Sequence, residues 1–428
     1  MPFLHRTPDR APATPIASAR THRAARALLV LGVVLIAANL RPAIAATATI
    51  LEPISRDLHL SGAAAGALTT LPVLFFGLAG PVAPLLVNRL GIERSLAWAL
   101  AAIAAATAMW LGGSALALFA GTVLVGAAVA VGNIVLPVLV RRDFPDRAGL
   151  ISGLYTTALA SSAAIAAAVT VPLGDAIGGG WPTALAIWSL PALVALIVWT
   201  PQLRSDARFA DHSAGPSLAH LRRLLHDRLA WQVTGLFGLQ ALSYHTILAW
   251  LPSIFIDAGI DQATAGFLLS VTGFVAIPVS LVLPTLAARR PSQRPWIVLL
   301  TALTATGLLG LLIAPTAAPY LWATLMGLGQ GPIFPLTLTL IVLRSRTTED
   351  TAALSTMAQS IGFVIAAAGP LTFGLLQAVT GTWTAGLVLL LALLVPQLCT
   401  GLAAARDRHI GGDPRCRGVA RVAGVAGR

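Results

Sequence analysis

An arginine lies in the middle of the first long apolar stretch of the chain. Residues 27–51 would span roughly 37 Å as a helix, enough to cross a bilayer once, and Arg41 falls near the midpoint. A charge at that depth costs about 2.5 kcal/mol or more, so it normally faces the protein interior or an aqueous cavity. Pro42 has no N–H to donate to Ala38 and disfavours helical geometry at Arg41. The sequence therefore predicts a bent helix beside a buried cation.

Uncharged polar residues occupy similar depths in the other apolar stretches. None of the 16 acidic residues is expected at mid-membrane, so Arg41 has no buried carboxylate as a predicted partner. We therefore predict that it binds a negative or strongly dipolar group of a ligand. The alternative is that Arg41 caps the broken helix and braces its neighbours. The candidate ligand-binding residues are Arg41, Asn39, Gln240, Tyr244, His245 and Gln330, with Asn133 and Gln359 nearer the cytoplasmic end.

Two residues are candidates for carrying a proton. His245 is one, because histidine is the side chain that changes charge near physiological pH; the alternative is a hydrogen bond across helices. Glu52, at the outer end of the first helix, is the other, and its alternative is a solvated interfacial group. The sequence holds no His-Glu-x-x-His, no Gly-x-Ser-x-Gly and no Gly-Lys-Ser/Thr loop, which disfavours an enzyme. We expect no catalytic residue, no metal site and no cofactor.

The composition is that of an integral membrane protein. Of 428 residues, 57% are hydrophobic and only 10% are charged, against about 25% charged in soluble domains. The net charge is +12, but the arginines fall between apolar stretches rather than on one polar face, so a nucleic-acid partner is not expected. The two cysteines, Cys399 and Cys416, form no disulfide framework or metal-binding spacing. The expected partners are the lipid bilayer and a small-molecule substrate, with a proton as a further candidate, and the expected state is a monomer.

Twelve apolar stretches divide into two sets of six. The predicted domains are a disordered cytoplasmic tail (1–26), an N-terminal six-helix bundle (27–200), a charged cytoplasmic linker (201–229), a C-terminal six-helix bundle (230–404) and a second cytoplasmic tail (405–428). With the N-terminus inside, 26 of the 28 arginines lie on the cytoplasmic side, which is where positive residues accumulate. We therefore predict twelve crossings of the cytoplasmic membrane with both termini inside. The basic start of the first stretch also resembles a secretory signal peptide, an alternative that the repeat described next disfavours.

The two halves resemble each other at a constant offset of 200 residues. Asp57, Gly66, Pro84 and Arg89 match residues of the same type 200 positions later. The match equates the first two helices of each half in the same orientation. This is a parallel duplication, for which a substrate site near the midplane between the halves is expected.

These features resemble the major facilitator superfamily over residues 27–404. A degenerate form of the loop signature of that family follows the second helix, in residues 88–94, with Asn88 where the family usually has Asp. The segment Asn39-Leu40-Arg41-Pro42 resembles more specifically the cyanate and 2-nitroimidazole permease branch. The resemblance implies an all-α membrane protein with twelve transmembrane helices in two six-helix bundles.

The same resemblance implies a secondary active or facilitative transporter of a small polar or anionic solute. Alternating access would come from rocking of one bundle against the other. A drug or metabolite exporter of the same superfamily is the alternative, although such a protein would normally have a more aromatic, carboxylate-containing cavity. An intramembrane enzyme and a transporter-derived receptor are the candidates from other classes.

Overall fold

The computed structural model describes residues 15–144, 147–204 and 218–410, and within them it contains helices and turns but no strand. The long helices follow one another through short connections. In chain order the α-helices are α1 Pro15–Asn39, α2 Pro42–Thr49, α3 Leu51–Asp57, α4 Gly62–Leu90, α5 Ile92–Met109, α6 Ala115–Asp143, α7 Ala148–Ile177, α8 Gly180–Ala186, α9 Ser189–Trp199, α10 Leu218–Leu224, α11 Arg228–Asp257, α12 Gln262–Ala288, α13 Arg294–Ile313, α14 Pro319–Arg344, α15 Thr348–Thr380 and α16 Thr384–Ala404.

The predicted twelve membrane spans are confirmed. Eleven helical segments of the described chain are long and apolar enough to cross a membrane, and a shorter apolar segment, Gly62–Leu78 within α4, is the twelfth. Helices α1 to α9 form the N-terminal bundle and α11 to α16 the C-terminal bundle. We call the end that holds Asp57 and Asp257 the outer end, following the orientation predicted from the arginines.

The N-terminal tail differs from its prediction. Helix α1 begins at Pro15, so residues 15–26, which we expected to be disordered, continue the first membrane helix. Alanine and arginine are good helix formers, and the segment joins an apolar helix that is already nucleated, which explains the extension. Residues 1–14, 205–217 and 411–428 lie outside the described chain, and so do the parts of the predicted tails and linker that fall on them.

The first span breaks where the sequence predicts. Helix α1 ends at Asn39 and α2 begins at Pro42. Arg41 has φ −122° and ψ −27°, and its side chain makes no capping hydrogen bond; instead its carbonyl oxygen accepts from the N–H groups of Ile44 and Ala45 at 3.2 and 3.1 Å. Leu40 fills the space over Gly132 of α6, where a Cβ would come within 2.5 Å of the leucine. This contact holds the break against the fourth span.

The two bundles contact each other along two helix pairs, α4 with α15 and α7 with α12. A Cβ on Gly66 would lie 3.0 Å from the carbonyl oxygen of Pro370, and one on Gly266 would lie 2.7 Å from that of Ala167. Small residues let helix backbones approach closely in membranes. Gly66 and Gly266 are equivalent in the repeat, so each bundle contributes a glycine to the interface in the outer half.

A matching hydrogen bond closes the outer end of each bundle. The indole N–H of Trp181 donates to Asp57 at 2.8 Å, and that of Trp383 donates to Asp257 at 2.8 Å. Each bond joins the end of the first span of a bundle to the start of its last span. The repeat in the sequence equates the two aspartates but does not identify their partners, because tryptophan near a span end is also typical of the lipid interface.

The cytoplasmic ends carry a second matched pair with different chemistry. In the N-terminal bundle Arg142 donates to Glu93 and, at 2.7 and 2.9 Å, to both carboxylate oxygens of Asp143. These hydrogen bonds, first to Asp143 and then to Glu93, raise the pKa of the Arg142 guanidinium above its usual value. In the C-terminal bundle Arg344 donates to the amide oxygen of Gln293 at 2.6 Å. The close acceptor is therefore ionic in the first pair and neutral in its counterpart, where the exposed carboxylate of Asp407 lies farther from Arg344, at 3.6 Å.

Candidate functional site

The guanidinium of Arg41 lies against an aromatic ring. Its Cζ is 5.6 Å from the ring centroid of Phe76 in α4, a cation–π distance. Its Nη1 atom is buried and has no hydrogen-bond partner in the described chain. The side chain makes no capping hydrogen bond at the helix break, so the arrangement does not support the capping alternative. Arg41 thus keeps at least one donor for another molecule.

The ring of Phe76 that contacts this cation belongs to a cluster of rings that was not predicted from the sequence. Phe76 contacts His245 and Phe363 with centroids 6.2 and 5.4 Å apart, and His245 contacts Tyr244 and Phe363 at 5.2 and 6.0 Å. Most of these pairs meet edge to face, the favoured geometry for aromatic rings. Phe76 and Phe363 come from α4 and α15, which pack together across the bundle interface, and no spacing in the sequence joins them.

His245 presents a hydrogen-bond acceptor to this cluster. Its Nδ1 lies 2.7 Å from the carbonyl oxygen of Ala241, one turn earlier in α11. A carbonyl can only accept, so Nδ1 carries the hydrogen, and Nε2 of the neutral ring is left with a lone pair. Nε2 is buried and without a partner in the described residues. The ring is 4% exposed and lies close enough to Arg41 for an electrostatic interaction with its charge.

Two glutamines predicted for the site join α11 to α14. The amide nitrogen of Gln330 donates to the hydroxyl of Ser243 at 2.9 Å, and that of Gln240 lies 3.4 Å from the backbone oxygen of Gln330. The Oε1 atom of Gln240 is buried without a partner in the described chain. Tyr244, one turn from Gln240, lies near enough to Arg41 to interact with it electrostatically. The structure therefore brings these residues to the same level of the C-terminal bundle.

Asn39 is not oriented as predicted. Its amide nitrogen donates to the carbonyl oxygens of Leu35 at 2.8 Å and Pro191 at 3.3 Å, so the side chain fastens α1 to α9. Both of its donors are used within the N-terminal bundle. An asparagine at a helix end readily satisfies free carbonyls in this way, which explains why adjacency to Arg41 in the sequence does not place it in the site.

Three further candidates make no hydrogen bond with Arg41 in the described chain. Asn133 and Gln359 are partly exposed, and Gln359 donates to Ser355 within α15 at 2.7 Å. Glu52 pairs with Arg56 at 2.7 Å near the outer surface, although its Oε2 atom is buried without a partner in the described chain. No hydrogen bond or ring contact links these three to Arg41 or His245 among the described residues.

A narrow cleft opens beside His245 toward the outer end. It holds about 420 Å³ of space, including its open part, and its walls come from α2, α4, α6 and α11. Apolar side chains form most of the lining, with His245 and three threonines as the polar groups. The lining residues are Ala43, Ile44, Thr47, Ala48, Leu68, Thr69, Pro72, Val73, Trp110, Thr122, Val125, His245, Leu248 and Ala249.

Twelve membrane helices in two repeated bundles, with polar groups buried at their junction, define a solute transporter of the bilayer rather than an enzyme. A sequence model described as Major Facilitator Superfamily matches residues 29–370. The chain belongs to this family, as the resemblance of its sequence indicated.

Curated relatives cover nearly the whole chain. The transporter YycB of Bacillus subtilis (strain 168) is 39% identical over 89% of this chain and 94% of its own length. The 2-nitroimidazole transporter of Escherichia coli (strain K12) is 37% identical over 90% and 97%. The cyanate transport protein CynX of the same organism is 31% identical over 83% and 91%.

Solved structures share the fold at low sequence identity. A D-xylose-proton symporter has a TM-score of 0.69 and 18% identity and covers 88% of this chain and 96% of its own. An inward-facing, occupied bacterial homologue of the human lysosomal transporter Spinster has a TM-score of 0.72 and 14% identity and covers 90% and 99%. These similarities support the architecture.

Proposed function

We propose that this transporter moves a small polar or anionic solute across the cytoplasmic membrane by alternating access, with Arg41 as its principal binding residue. The observation that carries the proposal is the buried, unpartnered Nη1 of Arg41. A cation in a medium of low dielectric attracts negative groups strongly. The names of two relatives, a 2-nitroimidazole transporter and a cyanate transport protein, agree with a solute that carries negative charge or a strongly polarised oxygen.

The broken helix adds to the positive potential at this place. Helix α2 begins at Pro42, and the N-terminal end of a helix carries a partial positive charge. Interrupted helices whose N-termini face anionic substrate groups are a recurring device in transporters. The interruption of the first span therefore favours a substrate with a negative or negatively polarised group, as Arg41 does.

We propose that His245 binds substrate as a neutral ring instead of carrying a proton. It is enclosed by Phe76, Phe363 and Tyr244 and lies beside Arg41. A second positive charge would be repelled by the first and would lose its hydration. Transport is then either facilitated or coupled through another group, for which Glu52 is the remaining candidate. A His245→Gln variant that still binds substrate but loses proton-driven uptake, while Glu52→Gln keeps it, would contradict this assignment.

The proposed orientation keeps both termini and the linker in the cytoplasm, because the arginines accumulate there. A reporter that is active only outside the membrane, fused after Arg228, should be inactive. We propose a monomer, since one chain contains both bundles and the complete candidate site.

An exporter of amphipathic compounds is the second candidate. The aromatic cluster beside Arg41 favours it, because aromatic side chains suit apolar aromatic cargo. The cluster still lacks a carboxylate contact in the described chain, which a cationic drug would need. Uptake and efflux measured in the same vesicles distinguish the two directions.

The substitution Arg41→Ala tests the proposed function. We expect substrate affinity to fall at least about a hundredfold, because the charged donor is lost, while the protein stays folded, since no ion pair is broken. Arg41→Lys should also bind poorly, because an ammonium cannot reproduce the planar guanidinium. The measurements are ligand affinity and thermal unfolding on the same purified variant. A folded Arg41→Ala protein with wild-type affinity would defeat the proposal.

A further inference from the structure

The donors that line the cleft beside His245 are already used. The hydroxyls of Thr47, Thr69 and Thr122 donate to carbonyl oxygens of their own helices at 2.8, 3.0 and 2.8 Å. The indole N–H of Trp110 donates to the carbonyl oxygen of Leu118 at 3.1 Å. A hydroxyl that donates to its own helix still has lone pairs. The cleft therefore offers acceptors to a ligand, and none of these four groups has a proton to spare.

The two unpartnered groups at the aromatic cluster have opposite polarity. Nη1 of Arg41 is a donor, and Nε2 of His245 is an acceptor, because Nδ1 of that ring donates to Ala241. Both atoms are buried and without partners in the described chain, and both side chains contact the ring of Phe76. A buried polar atom without a partner is costly. A ligand that relieves only one of the two leaves the other unsatisfied.

We propose that the site selects small planar aromatic solutes that accept a hydrogen bond from Arg41 and donate one to Nε2 of His245. The acceptor would be a carboxylate, nitro or similar oxygen, and the donor an N–H or O–H on the same molecule. The cleft that reaches His245 has mostly apolar walls, which suit a flat ring, and its lining includes Ala43, two residues after Arg41. The rings of Phe363 and Tyr244 pack against His245 from outside that lining. This inference rests on the proposed function and adds a second requirement to it.

The requirement separates two kinds of small polar solute, an anion that only accepts hydrogen bonds and a neutral ring that also donates one. An ion that has only acceptors, such as cyanate, satisfies Arg41 but leaves Nε2 of His245 unpaired. A nitroazole with a ring N–H satisfies both. The acceptor-lined cleft therefore favours the second kind, although both carry the polarity that Arg41 requires.

Binding of two matched probes to purified protein tests the inference. The probes are 2-nitroimidazole, which has a ring N–H, and 1-methyl-2-nitroimidazole, which keeps the nitro group and lacks that donor. We expect methylation to weaken binding to the wild-type protein about tenfold, the effect of one lost hydrogen bond to a buried acceptor. His245→Phe keeps an aromatic ring and removes the acceptor. In that variant the two probes should bind within about twofold of each other, with both near the affinity of the methylated probe for the wild type.

A second variant keeps the test decisive if His245→Phe does not fold. His245→Gln retains an acceptor oxygen and should preserve part of the preference for the unmethylated probe. Equal, saturable binding of both probes to the wild type would overturn the inference and leave the proposed function standing. A preference that persists unchanged in folded His245→Phe would also overturn it. The absence of saturable binding and of uptake for both probes and for cyanate would contradict the proposed function itself.

Discussion

The first membrane spans of the two bundles occupy equivalent places in the repeat, but they differ in backbone continuity and in the polar groups that they carry. The first span is interrupted at Arg41 and Pro42, whereas α11 runs without interruption over Arg228–Asp257. The position equivalent to Arg41 is Ala241, whose carbonyl oxygen accepts from His245. The N-terminal bundle thus supplies the charge, and the C-terminal bundle supplies the neutral hydrogen-bonding groups. Duplication preserved the scaffold while the chemistry of the site became asymmetric.

Removing the interruption should have the largest effect on this difference. Pro42→Ala restores an N–H that can bond to the carbonyl of Ala38, so the first span should become more like α11. We expect stability to rise by only about 1 kcal/mol, the net value of one added backbone hydrogen bond, because Pro42 is the first residue of α2, where a proline is tolerated. Substrate affinity should fall at least about tenfold, because the Arg41 guanidinium would be turned away from its place. Thermal unfolding and ligand titration of one preparation measure both quantities.

A matched control is available in the continuous helix. Pro252 lies within α11 and is buried, away from the residues of the aromatic cluster. Pro252→Ala should change stability without changing affinity. If Pro42→Ala also left affinity unchanged, the interruption would be a packing feature and the asymmetry would reduce to Arg41 alone.

The cytoplasmic pairs offer a second comparison with a smaller effect. Glu93→Gln should destabilise the protein by about 1–2 kcal/mol, because Arg142 loses one charged acceptor and keeps Asp143. Gln293→Glu should shift stability by less than about 1 kcal/mol, since burying the new carboxylate offsets its attraction to Arg344. Thermal unfolding in detergent at low and high salt measures both. Equal responses to the two substitutions would show that the ionic and neutral pairs are interchangeable.

The outer pairs should give the smallest effects. Asp57→Ala leaves the indole N–H of Trp181, a buried residue, without an acceptor and should cost about 1 kcal/mol. Asp257→Ala should cost a few tenths of a kcal/mol, because the hydrogen bond of Trp383 is exposed and water can replace the lost acceptor. The ratio of the two losses in unfolding experiments is the informative quantity. A larger loss at Asp257 would reverse the proposed role of burial.

Much of this architecture follows from local sequence signals. Span positions, the interruption at Pro42 and the repeat that pairs Gly66 with Gly266 depend on hydropathy, proline geometry and residue identity along the chain. The positions of Gln240, Tyr244 and His245 relative to one another also follow from the sequence, because one helix fixes their spacing. These features can be predicted without knowing which helices pack against each other.

The remaining features depend on contacts between distant helices. Asn39 was predicted to line the site from its neighbourhood with Arg41, but only the approach of α9 shows that Pro191 takes its amide. Phe76 and Phe363 look like ordinary apolar residues until α4 and α15 pack together. These contacts are features of tertiary structure, and no local pattern in a single sequence predicts them.

The placement of Arg41 also bears on how the protein is made. The first span enters the membrane with a cation at its centre, which costs about 2.5 kcal/mol or more. Phe76 is translated soon afterwards, but His245 follows Arg41 by 204 residues, which is roughly 10–40 s at about 5–20 residues per second. During that interval the nascent helix lacks the surroundings that stabilise it in the finished molecule. Its retention in the bilayer must therefore depend on the insertion machinery or on the helices that immediately follow.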